Sequence, residues 1–284
     1  MPYRYFIQLA YDGSGFSGWQ IQPNALTIQE CLEQALQLIS GYTAGITGCG
    51  RTDSGVHARI YHAHFDPEKA LHNPEQLRYK LNRFLPPTIA IQAIRPVRPG
   101  MHARFSAIRR EYRYSIARGK DPFLYPYSHL YTGPLDVEVM NKGAAMLTEY
   151  SDFQCFSKVR TQVANFQCKL YQATWIETGH VLEFRIEADR FLRNMVRAIV
   201  GTLLDVGRGR IDLDDLRSIL ESHDRRRAGV SVPAKGLTLW DVQYPLDCFS
   251  KEPSWFSYDS PDEIIGHHDT DRKFHQGSGH EADE

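Results

Sequence analysis

Cysteine is scarce in this chain. Its five cysteines, Cys31, Cys49, Cys155, Cys168 and Cys248, are scattered over 284 residues without a C-x-x-C pair, which excludes a disulfide framework and a cysteine-built zinc site. No apolar run approaches the roughly 18 residues a membrane span requires. The start, Met1-Pro2-Tyr3-Arg4-Tyr5, runs into a strand pattern without the apolar core of a secretion signal, so a cytoplasmic protein is expected. Net charge is also nearly absent, with 33 Lys and Arg against 34 Asp and Glu for a formal −1. Spread evenly, that balance would argue against a polyanionic partner.

The charge is not spread evenly. Residues 246–284 hold ten acidic and three basic residues, a net of −7, so residues 1–245 carry +6 of the whole-chain −1. A basic body with an acidic tail is compatible with nucleic-acid binding by the body. At 42% hydrophobic and 24% charged residues the composition is that of a globular protein, with length for two modest domains or one large one.

Periodicity places the elements. Residues 3–11 alternate as a half-buried strand, and a Gly-rich connection, Asp12-Gly13-Ser14-Gly15-Phe16, follows. Thr27 and Glu30 have capping-box spacing ahead of Ile28, Leu32, Ala35, Leu36 and Ile39 at helical spacing, with Gly41 as the stop. Strands are expected over 44–50, 56–66, 88–95 and 108–118, and Asn73-Pro74 predicts a helix start. Beyond them the pattern predicts a helix over 136–150, strands over 166–177 and 181–189, helices over 191–206 and 213–222, and a last strand over 237–244. Helices interleaved with adjacent hairpin-like strands favour an α/β (α+β) architecture with mixed or antiparallel sheets. After Pro245 no apolar period survives, and 246–284 is expected to be irregular.

The stretch with most chemistry is Gly50-Arg51-Thr52-Asp53-Ser54-Gly55-Val56-His57-Ala58, which places a carboxylate and a guanidinium on a glycine-bounded loop between two strands. The glycines let the backbone approach a ligand closely, Arg51 offers a planar five-donor fork, and Asp53 an unhindered nucleophile or base. Further on, Arg190, Arg193 and Arg197 share one face if 191–206 is helical throughout. Tyr112 and Tyr114 share one face of the strand Arg110-Glu111-Tyr112-Arg113-Tyr114. His62-x-His64 on a strand, with His57 nearby, has metal-ligand character, but no third ligand stands at a natural spacing, so no metal is expected. Arg225-Arg226-Arg227 reads as an exposed loop that, in a basic body, could also touch phosphates.

The Asp53 loop closely resembles the signature loop of the tRNA pseudouridine synthase A family. So do Phe191-Leu192-Arg193-Asn194-Met195-Val196-Arg197-Ala198-Ile199-Val200-Gly201 and the Tyr112 strand. Further matches are Tyr11 to Gln20, His102 to Ala107, Asp152-Phe153 with Phe156, and Gly236 to Leu239, so the resemblance spans about residues 3–245. Two departures, Cys49 and Met101, fall outside the implied chemistry.

The resemblance implies a two-lobed pseudouridine synthase fold, with largely antiparallel mixed sheets flanked by helices and a central cleft. Its lobes would span 1–105 and 106–245, with 246–284 as the tail. It implies isomerisation of uridine to pseudouridine in tRNA, at positions 38 to 40 of the anticodon arm, by a homodimer using no cofactor. Asp53 would be the catalytic carboxylate and Arg197 its partner, keeping it ionised where desolvation would protonate it. Tyr112 would stack on the base and help move a proton, while Arg51 and Arg193 would bind substrate, Arg51 by holding a flipped nucleotide. Whether Asp53 attacks or removes a proton stays open. Two other readings compete: a noncatalytic RNA-binding module on the same fold, and a metal-dependent hydrolase using His57, His62 and His64.

Overall fold

A computed structural model describes residues 3–158 and 165–249. The elements are β1 (Tyr5–Tyr11), α1 (Ile28–Ser40), β2 (Thr47–Gly48), β3 (His57–Phe65), α2 (Pro74–Phe84), β4 (Ile89–Pro96) and β5 (Arg109–Ala117). They continue with β6 (His129–Leu130), α3 (Val137–Leu147), β7 (Leu170–Thr178), β8 (Val181–Ala188), α4 (Met195–Gly207), α5 (Leu213–Glu221) and β9 (Leu237–Gln243). Of the expected tail, only 246–249 falls among the described residues.

The expected caps form. Thr27 accepts from the Glu30 backbone N–H, Gly41 closes α1 in the left-handed region at φ 74°, and Asn73 accepts from Gln76 N–H with Pro74 in the first turn. Two expectations need correction. The strand over 44–50 shrinks to β2, since the segment beyond Gly48 turns into the Asp53 loop. The helix predicted from Phe191 starts only at Met195, because Asn194 adopts φ 66° and an L-residue in that region interrupts an α-helix. Arg190 and Arg193 therefore precede the helix, and only Arg197 lies on it.

The strands form one nine-stranded sheet in the order β4-β1-β3-β9-β5-β8-β7, with β2 added to β3 and β6 to β5. Pairing is antiparallel except between β3 and β9 and between β5 and β6, so the expected α+β class and largely antiparallel pairing hold. One apolar core gathers α1 and α2 over β1, β3 and β4; a second gathers α3, α4 and α5 over β5, β7 and β8. Eleven of the thirteen residues of α4 are buried, so its hydrophobic burial rather than capping holds it in place. The C-terminal strand β9 inserts between β3 and β5. Ala58, five residues after Asp53, thereby pairs with Leu239, which pairs on its other side with Tyr112. Residues 54 apart in sequence are thus drawn across one strand by the register of a third.

Candidate active site

The Asp53 loop is built against the Gly-rich connection after β1. Gly18 sits at φ 87°, and a Cβ there would fall 2.3 Å from the Thr52 carbonyl oxygen; at Gly13 it would fall 2.1 Å from that of Val56. Only glycine permits both conformation and contact at Gly18. Trp19 N–H donates to Thr52 O (3.3 Å), Gly55 N–H to Phe16 O (3.3 Å) and Val56 N–H to Asp53 O (3.1 Å), while Tyr11 and Thr52 hydroxyls lie 2.9 Å apart. Arg110 donates to the carbonyls of Cys49, Arg104 and Asp189, tying the loop to β5. Asp53 therefore rides on a backbone braced from several sides, which is what a positioned carboxylate requires.

Two arginines converge on Asp53. Arg197 Nη1 lies 3.2 Å from one carboxylate oxygen, and Arg193 Nε 3.8 Å from the other. The Asp53 side chain is 25% exposed, Arg197 20% and Arg193 51%, so one partner is inside and the other near solvent. Arg197 Nε also donates to Val232 O (2.8 Å), fixing the plane of its guanidinium. The left-handed turn at Asn194 leaves Arg193 ahead of the helix, from where its Nε comes within 3.8 Å of the carboxylate.

An open cleft of about 430 Å³ is lined by Ser17, Gln20, Gln22, Arg51, Thr52, Asp53, Ser54 and Arg193. Arg51 is exposed there and donates to Gln20 Oε1 at 3.3 Å. The glutamines and Ser17 carry no periodic signal; their position just after the Gly-rich connection is the clue that would have found them. Tyr112 is not among the lining residues. Half-buried and packed against both cores, its ring meets Phe191 edge-on at 5.1 Å, and burial raises its hydroxyl pKa above the ordinary tyrosine value. It stays protonated at neutral pH, so its hydroxyl carries a proton available for donation. Tyr114 is fully buried and donates to Pro233 O.

The other sequence candidates find other duties. His64 accepts from Ala103 N–H, and His57 accepts from Gly13 N–H while its second ring nitrogen meets Lys235 O. Among the described residues no three His, Cys, Asp or Glu side chains gather as a metal site. Burial pushes the Cys49 thiol up to about 11, so the cysteine next to the loop is a packing residue. Arg226 pairs with Asp224 and Arg227 with Ser218, whereas Arg225 turns inward.

With this geometry in view, comparison with known proteins is consistent across the chain. The profile of a family described as tRNA pseudouridine synthase matches residues 8–106 and 147–245. A tRNA pseudouridine synthase A of Parabacteroides distasonis is 49% identical over 249 residues, covering 88% of this chain and 99% of the relative. Those of Bacteroides fragilis and Bacillus subtilis are 48% and 40% identical, covering 87% and 83% of this chain and 98% and 97% of theirs. A braced Asp between two arginines in an open cleft, and likeness over nearly the whole length of these relatives, lead to one conclusion: the chain belongs to the tRNA pseudouridine synthase A family.

Proposed function

We propose that this protein isomerises uridine to pseudouridine in tRNA, at positions 38 to 40 of the anticodon arm, with Asp53 as the catalytic carboxylate. The observation that carries this reading is the Asp53–Arg197 pair at 3.2 Å, joining side chains 144 residues apart beside the cleft. In the reaction the bond from ribose C1′ to uracil N1 breaks, C1′ joins C5, the C5 hydrogen leaves as a proton, and N1 gains one. A single carboxylate serves either as nucleophile toward the sugar or as the base for that proton. Arg197 orients Asp53 and balances its charge through one carboxylate oxygen, leaving the other, which Arg193 approaches only to 3.8 Å, for substrate.

A stacked uridine is out of reach inside a helix, so the nucleotide flips into the cleft. Arg51, exposed at the rim, holds the flipped nucleotide, Arg193 binds substrate beside Asp53, and the Tyr112 hydroxyl supplies a donor near the base. Lobes over 1–105 and 106–245 would meet at this cleft, and a homodimer in the cytoplasm would present the basic body to folded RNA. Shape recognition through phosphate and sugar contacts suits that charge distribution. A tRNA transcript tritiated at uridine C5 tests the proposal. The wild type is expected to release tritium and Asp53→Asn to bind tRNA without release; binding without release by the wild type would favour the noncatalytic RNA-binding reading instead.

A further inference from the structure

The three consecutive arginines 225–227 do not behave alike. Arg226 and Arg227 are exposed, whereas the half-buried Arg225 spends its fork on the loop that follows it. Its Nη1 donates to Ala228 O (3.3 Å) and Gly229 O (3.1 Å), and its Nη2 to Ser231 Oγ (2.9 Å). None of these acceptors is a carboxylate, so the guanidinium is organising backbone rather than balancing a charge.

That loop lies directly on α4. A Cβ at Gly201 would fall 1.9 Å from Val230 O, and Gly229 N–H donates to the buried hydroxyl of Thr202 at 2.9 Å. Ser231 Oγ also receives Asn194 Nδ2 at 2.6 Å, at the left-handed residue that turns Arg193 toward Asp53. One residue on, Val232 O holds Arg197 Nε at 2.8 Å and Val232 N–H donates to Arg197 O at 3.2 Å. The Arg197 guanidinium, through Val232, and the turn that presents Arg193, through Asn194, are thus anchored to a loop whose shape Arg225 sets.

We infer that Arg225 is a positioning residue for the reaction: by clamping residues 228–231 it sets Arg193 and Arg197 against Asp53. The inference rests on the proposed pseudouridine synthase activity. A five-donor planar fork is suited to gathering three acceptors at fixed angles, which a lysine ammonium on its flexible stem does not reproduce. If the fork is lost, the loop relaxes, Val232 O shifts, and Arg197 no longer meets the carboxylate squarely.

The test is tritium release from C5-labelled tRNA by the full chain and its variants, with tRNA affinity and thermal melting measured in parallel. Arg225→Lys and Arg225→Ala are expected to lower kcat by about tenfold to a hundredfold, the scale of an ångström-sized misplacement, with KM and tRNA affinity within about twofold of wild type. Combined with Arg197→Lys, Arg225→Ala is expected to cost much less than it does alone, because the group through which it acts is already displaced. Should Arg225→Ala fail to fold, Ser231→Ala, which removes only the shared hydroxyl, is expected to lower kcat in the same direction. Folded variants with wild-type kcat, or losses that multiply fully with Arg197→Lys, would overturn the inference. Absence of release by the wild type would instead defeat the activity on which it rests.

Discussion

At Asp53 two guanidinium groups share one carboxylate, and they are not equivalent. Arg197 is tethered at Nε to Val232 O and is mostly shielded, while Arg193 stands farther off and half in solvent. Arg197→Lys keeps the charge but loses the tether and the fork, so tritium release is expected to fall about a hundredfold with tRNA binding nearly intact. Arg193→Ala, removing the weaker and more screened contact, is expected to raise KM more than it lowers kcat. Steady-state kinetics on one labelled transcript separate the two. Gly18 is as demanding as the charged residues: Gly18→Ala forces a side chain into Thr52 O at an unfavourable φ, a cost on the order of 1–3 kcal/mol. The expected result is a lower melting temperature together with a fall in kcat, since Thr52 precedes Asp53.

At the scale of elements, α4 and β3 carry opposite kinds of constraint. The buried flank of α4 was legible as an apolar period, as were the caps Thr27, Asn73 and Gly41, because helical spacing and cap chemistry are local properties. Its start was not legible, since Asn194 leaves the helical region to bond Ser231, a partner 37 residues away. On β3, His62 and His64 face a crowded apolar and cationic surround of Phe6, Tyr244, Phe249, Arg95 and Arg4. Burial, aided by Arg95, pulls His62 down to about 3; burial, aided by Arg4, pulls His64 down to about 4. Both folded-state values lie below the unfolded imidazole, so below about pH 6.5 the unfolded chain binds protons that the folded chain does not. Stability is therefore full above about pH 6.5 and falls as pH drops toward 4, at up to about 1.4 kcal/mol per pH unit for each histidine. Denaturant unfolding between pH 7 and pH 4.5 should show this slope, and His62→Leu should reduce it by the share of His62.

For the whole molecule, the decisive contacts are those closing the sheet from its far end. β9 joins the strands before and after it, and the segment beyond it returns over β1 and β4. Phe249 packs edge-on against Phe6, Cys248 O accepts from Arg98 N–H, and Asp247 pairs with Arg98. A chain ending at Phe249 is expected to keep its melting temperature and its tritium release, because it retains every described residue of both cores. Ending at Tyr244 removes those contacts and is expected to lower the melting temperature by several degrees, as a loss of 1–2 kcal/mol in a domain of this size does. Calorimetry on the two truncations distinguishes them.

The sequence by itself determined most of the elements, the α+β class and the identity of the residues on which the chemistry is proposed to rest, because periodicity, caps and the glycine-bounded loop are written within a few residues of one another. Tertiary structure decided how those residues meet. The register of β9 brings Tyr112 opposite the strand that follows Asp53, a left-handed Asn194 leaves Arg193 ahead of α4 beside Asp53, and Arg225 leaves its two neighbours in solvent to grip the loop on α4. Each depends on partners distant along the chain, where strand pairing and backbone close approach, rather than local propensity, set the geometry.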